Sequence, residues 1–166
     1  MYDAMPSKLI ELTPLVKESL FLIGSVHTQL KEHQPLKFNQ IDQFPLILPF
    51  HPHRLRSLIE QAFNQNGSEL NIYAETNDLN VQKQLVMQNF GYTILPLVAV
   101  KNEYLRGEVQ VAPIADPAFS RVVTLAQHST RNIPKHLRII AQEIIACVGQ
   151  SVQEKKWPQA EWIHQE

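Results

Sequence analysis

Apolar residues along this chain fall alternately into short unbroken runs and longer stripes with helical spacing, the alternation expected of strands and helices in an α/β fold. Leu20-Phe21-Leu22-Ile23-Gly24 is one such run and predicts a buried strand. The polar stretch 29–34 predicts a loop. Pro45-Leu46-Ile47-Leu48-Pro49 predicts a second strand, with prolines only at its ends, where they remove few ladder hydrogen bonds. Leu55, Leu58, Ile59, Ala62 and Phe63 then recur at i, i+3, i+4, i+7 and i+8, one face of a 3.6-residue period. Asn66-Gly67 ends that helix, with Gly67 in the left-handed position past the cap.

The second half continues the pattern. Leu70-Asn71-Ile72-Tyr73-Ala74 predicts a third strand, and Thr76-Asn77-Asp78 an N-cap and first-turn acid for a helix to about Phe90, closed by Gly91. Tyr92-Thr93-Ile94-Leu95 is a fourth strand, and Pro96 suits the first turn of a short helix to about Tyr104. Gly107 turns the chain into Val109-Gln110-Val111, a loop with Pro113 and Pro117 follows, and Arg121 to Ala126 read as a further strand. The last helix starts near Pro134, with Leu137, Ile140, Ala141, Ile144, Ile145 and Val148 on one stripe. Three successive strand–helix–strand steps imply right-handed crossovers and a largely parallel sheet.

Composition narrows the function. With 166 residues, 44% hydrophobic and 19% charged, the chain is long and apolar enough for a domain with its own core. A net charge of −1 lacks the basic excess that phosphate neutralisation demands, so a small molecule or a protein is the expected partner rather than nucleic acid. The single cysteine, Cys147, excludes an internal disulfide and, among Ile144, Ile145 and Val148, reads as a buried inert thiol. No run approaches the ~20 apolar residues of a bilayer span. The first residues lack the basic and apolar regions of a signal peptide, so the cytoplasm is the expected compartment and no membrane partner is expected.

Several segments carry a resemblance. They are Leu12-Thr13-Pro14-Leu15-Val16-Lys17-Glu18-Ser19-Leu20-Phe21-Leu22-Ile23; residues 45–49 followed by His53-Arg54-Leu55-Arg56; and Glu75 with Gln84-Leu85-Val86 and Gly91-Tyr92-Thr93-Ile94-Leu95-Pro96. Gly107-Glu108-Val109 follows, then Pro113-Ile114 and residues 117–125. Their order and spacing over nearly the whole chain resembles the effector-binding domain of LysR-type bacterial transcription regulators. Asn89 departs from that pattern, standing where the family has the first of a glycine pair. Trp157, Ala160 and Trp162 in the tail resemble the branch of nitrogen-assimilation control regulators.

The resemblance implies an α/β fold of the periplasmic-binding-protein-like (type II) kind, with two lobes and two crossing strands. On that mapping residues 1–17 are a remnant of lobe one and the first crossing, near Leu15. Residues 18–127 are the second lobe, nearly complete. The second crossing lies near His128, and residues 128–166 return to lobe one as the last helix and tail. Met1-Tyr2-Asp3-Ala4 looks like the end of a lobe-one strand, the first lobe being largely missing. The implied function is that of an effector-sensing fragment: a small molecule bound in the interlobe cleft controls DNA binding by an absent helix-turn-helix. DNA would be contacted only through that missing N-terminal domain.

The residues supply their own candidate site. His51-Pro52-His53-Arg54-Leu55-Arg56 lies where a strand's C-terminal end feeds a helix N-terminus, the place where open α/β sheets bind ligands. Four cationic or titratable side chains occur there with no acid before Glu60, against the helix macrodipole. An anionic effector held by free N–H groups with Arg54, Arg56 or a histidine would explain them; arginines lying along the surface with solvated heads would also do so. Thr76 and Asn77, at another strand end, and Tyr92 complete the effector-binding set, although capping alone accounts for the first two. His51 and His53 form an H-x-H pair without further ligands nearby, so no metal is expected; nor is a cofactor or a catalytic residue.

Two other functions share these features: a transporter's solute-binding protein with the same two-lobed fold, and a small enzyme built on the 51–56 loop. The stripe Leu55, Leu58, Ile59, Ala62, Phe63 is mainly core. In the family the equivalent helix also pairs effector domains through lobe one of a partner, a surface absent here. The last helix then carries an exposed apolar stripe, which predicts self-association of another kind.

Overall fold

A computed structural model of the chain describes residues 10–115, 117–128 and 134–164. The Met1-Tyr2-Asp3-Ala4 strand end expected from the sequence lies outside the described residues. In chain order the elements are β1 (Ile10–Ser25), α1 (Phe38–Ile41), β2 (Leu46–Leu48), α2 (Arg54–Gln65), β3 (Ile72–Glu75), α3 (Leu79–Met87), β4 (Thr93–Pro96), α4 (Lys101–Leu105), β5 (Val109–Pro113), β6 (Ser120–His128), α5 (Lys135–Gln153) and β7 (Ala160–Trp162). They form two compact units, Ser19–Phe119 and Met1–Glu18 with Ser120–Glu166.

In the Ser19–Phe119 unit β2 pairs with β3 in parallel, and a parallel bridge joins Leu46 to Tyr92 just before β4. β1 lies between β4 and β5 and is antiparallel to both. The largely parallel sheet expected from the sequence is therefore corrected to a mixed one. Parallel neighbours need a long crossover, and only β2–α2–β3 and β3–α3–β4 supply it. β4 and β5 are joined by α4 but are not neighbours; each pairs with β1 instead. The apolar runs of β1, β2 and β4 and the stripe of α2 meet in one core, with Leu22, Ile47, Ile59, Phe63 and Ile94 fully buried. Phe63 meets Phe38 edge to face at 5.2 Å between ring centroids.

Helix ends follow local chemistry. Gly67 takes φ +65°, as the Asn66-Gly67 pair predicts. The end of α3 differs from expectation: it stops at Met87, three residues short of Phe90, and Asn89 at φ 63° makes the left-handed turn assigned to Gly91. Asparagine tolerates that region better than other non-glycine residues. Gly91 is required for a different reason: a Cβ there would lie 2.6 Å from the carbonyl oxygen of Pro45.

In the other unit the first part of β1 pairs with β6 and with β7, the latter in antiparallel register from Val16 opposite Trp162 to Glu18 opposite Ala160. Glu18 is buried there: it accepts from Arg121 Nε at 2.6 Å and from Trp157 Nε1 at 2.8 Å. Helix α5 leaves most of its apolar stripe uncovered, with Leu137, Ile140 and Ile144 at 47%, 52% and 40% exposure. Cys147 is exposed rather than buried, because the stripe it adjoins is not covered.

Candidate functional site

The loops after β2 and β3 both open at the C-terminal ends of those parallel strands, and a hydrogen bond ties them together. Phe50 N donates to Asn77 Oδ1 at 3.1 Å. The loop after β2 carries a cis peptide between His51 and Pro52 and leads into α2. His53 is the N-cap: its Nδ1 accepts from Leu55 N at 3.2 Å, and its carbonyl accepts from Ser57 N. On β3's side Thr76 Oγ1 accepts from Asp78 N, and Asp78 Oδ1 caps α3 by accepting from Asn80 N and Val81 N. Capping thus belongs to Asp78, and Asn77 spends its side chain on the β2 loop instead.

Charge at this end is largely self-compensated. Arg56 is 5% exposed, and its guanidinium donates to Glu60 at 2.7 Å, to Glu75 at 2.6 Å and to the Pro49 carbonyl at 3.1 Å. His51 Nε2 lies 3.2 Å from the same Glu60 carboxylate. Burial works to raise the Glu60 carboxyl, but hydrogen bonds from Arg56 and His51 and their charges outweigh it and hold it below the ordinary glutamate range.

Comparison with known proteins identifies the family. The LysR substrate binding domain matches residues 2–146. The chain belongs to that family. Among curated relatives, the HTH-type transcriptional regulator BbuR of Bordetella bronchiseptica is 22% identical over 95% of this chain and 49% of its own length. The nitrogen assimilation regulatory protein nac of Escherichia coli is 23% identical over 94% of this chain and 50% of its own. The chain thus spans about half the length of these regulators. Among solved structures, the effector binding domain of QuiR in complex with shikimate superposes with a TM-score of 0.75 at 18% identity, covering 89% of this chain and 69% of that one. The periplasmic-binding-protein-like α/β fold read from the sequence is the fold of this LysR domain.

Within the LysR domain the predicted residues divide. His51, Pro52, His53, Arg54, Leu55, Arg56, Thr76 and Asn77 gather at the C-terminal strand ends. Tyr92 does not join them. It sits at the opposite end of β2, where its backbone N–H donates to the Pro45 carbonyl and its ring meets Phe44 at 4.6 Å. Leu55 is core at 4% exposure. Arg56, predicted as an uncompensated cation able to hold an anion, is buried and occupied by two acids. Sequence reasoning missed those acids: Glu60 was legible as the i+4 partner of Arg56, whereas Glu75 becomes its neighbour only through the β2–β3 pairing. Among the described residues no group of three or more His, Cys, Asp or Glu could hold a metal ion, and no helix is long and apolar enough to cross a membrane.

Proposed function

We propose that this chain is the effector-sensing part of a LysR-type transcription regulator, acting in the cytoplasm and recognising a small anionic molecule at the C-terminal ends of β2 and β3. The observation that carries the reading is the convergence of the α2 N-terminus with the two loops joined by Phe50 and Asn77. Helix N-termini present N–H groups and positive potential to an anion, and the exposed side chains of His51 and Arg54 border this one. Arg56 acts by position, locking the loop through Pro49 and Glu75. The QuiR domain bound to the carboxylate shikimate supports an anion of that size. In the whole regulator, occupancy would shift the balance of conformations that present a separate DNA-binding segment to its promoter. On this reading the Ser19–Phe119 unit is the second lobe.

Titration calorimetry of the chain with small carboxylates and phosphates, shikimate first, tests the site. Saturable binding that weakens in His51→Ala and Asn77→Ala supports it. Binding unchanged in both, or none across the series, refutes it. The exposed stripe of α5 supports a further element, self-association of the chain, which analytical ultracentrifugation checks: a monomer at high concentration would count against it.

A further inference from the structure

The Ser19–Phe119 unit holds a cavity of about 430 Å³ at the end of β2 away from His51 and Asn77. Its wall is the loop between β1 and α1, and that loop is fastened along its length. Thr28 Oγ1 lies 2.9 Å from the Ser25 carbonyl oxygen, and the Glu32 carboxylate accepts from the Tyr104 hydroxyl. Leu36 N donates to the Pro113 carbonyl at 2.8 Å, and Ala115 N to the Leu36 carbonyl at 2.9 Å. The floor is the Phe44–Tyr92 ring pair, tilted at 56°. Gly24 lets that floor lie against β1, since a Cβ there would come 2.8 Å from Tyr92 Cε1.

Between the fastening points His27, Lys31 and Gln34 are exposed to solvent. Among the described residues, Lys31, His27, Gln34 and the Tyr92 hydroxyl make no side-chain hydrogen bond or ion pair, although all four line the cavity. No carboxylate lines it, and Glu32, nearest in sequence, is committed to Tyr104. Leu30 and Leu36 supply aliphatic wall beside the rings. Apolar surface with a few convergent polar groups is the usual make-up of a small-molecule site, and a lining with an ammonium and an imidazole but no carboxylate favours negative charge.

We infer that this cavity is a second ligand site, taking a small monocarboxylate with a flat apolar body, its ring on Phe44 and Tyr92 and its carboxylate toward Lys31 and His27. It is independent of the effector site proposed at Asn77. Tyr92 then binds ligand, but not with the residues it was grouped with by sequence.

Amide-resolved NMR of the chain titrated with phenylacetate tests this, with phenylacetamide as the neutral probe of the same shape. Expected are saturable shifts at Thr28, Gln34 and Tyr92, with Phe50 and Asn77 unmoved and Asn77→Ala binding as the parent does. Phenylacetamide, and phenylacetate with the surface variant Lys31→Glu, should each bind about tenfold more weakly, as loss of a charge-assisted contact predicts. Shifts centred on Asn77 overturn the inference, as does failure to saturate by about 10 mM, the weak edge of specific binding. Equal binding of the amide, or of Lys31→Glu with an otherwise parental spectrum, overturns it too.

Discussion

Helices α2 and α5 carry the same sequence pattern and meet opposite fates. Both place apolar residues at i, i+3, i+4 and i+7. In α2 that stripe is the core: Leu55, Ile59 and Phe63 are 4%, 0% and 0% exposed. In α5, Leu137, Ile140 and Ile144 remain in the open at 40–52%. An amphipathic stripe states that a face needs covering, and not what covers it. For α2 the cover is supplied by the core of its own unit, Phe38 of α1 included, whereas the described residues leave much of α5 bare.

The contrast can be broken most directly at Phe63. Phe63→Ala should cost ~3–5 kcal/mol, the range for emptying a well-packed aromatic position, read from urea denaturation. A cost near zero would mean that the α2 core is not what holds the unit together. Next in size is Arg56→Met, which strips a buried guanidinium from Glu60 and Glu75. Those carboxylates keep some access to water, so about 1–3 kcal/mol is expected rather than the full penalty of a buried orphan charge. Thermal denaturation should show the loss, and Glu75→Gln should lose less than Arg56→Met.

A smaller effect follows from pH. The folded-state pKa of Glu60 is depressed, so its contribution is present above the unfolded value and disappears as pH falls through the folded one. Stability of the parent chain should decline between about pH 5 and pH 3 more steeply than that of Glu60→Gln. Parallel curves would show that the Arg56–Glu60 contact does not persist in solution. The smallest stability change belongs to α5: Ile140→Ser should move monomer stability by no more than about 0.5 kcal/mol, while sedimentation shows any self-associated species diminished. A core-sized loss at Ile140 would erase the distinction between the helices.

Legibility in the sequence followed periodicity and stopped where pairing begins. The strand cores at residues 20–24 and 46–48 and the face of α2 were readable because apolar side chains at a fixed period leave few alternatives. The first half of β1 was not, because Lys17, Glu18 and Ser19 interrupt its apolar pattern. Glu18 is buried only because Arg121 and Trp157 meet it, more than a hundred residues away. The tail strand β7, three residues long, exists through the same pairing. At the site, the position of the 51–56 loop was legible from strand-to-helix succession. The state of Arg56 was not, since Glu75 reaches it across the β2–β3 ladder. Tyr92 was grouped with the wrong strand end for a related reason: it is the first residue after a turn, and a strand's beginning and end look alike in composition.

The hydrogen bond from Leu20 N to the Phe119 carbonyl oxygen, 2.9 Å long, has a consequence for biosynthesis. It brings the two ends of the Ser19–Phe119 unit side by side, so that unit is a closed insertion within a unit assembled from both flanks. Emerging from a ribosome, Ser19–Phe119 can complete its core while Glu18 still waits for Arg121, 103 residues downstream. The order of synthesis is then also an order of folding, the inserted unit first and the flanking one closing behind it.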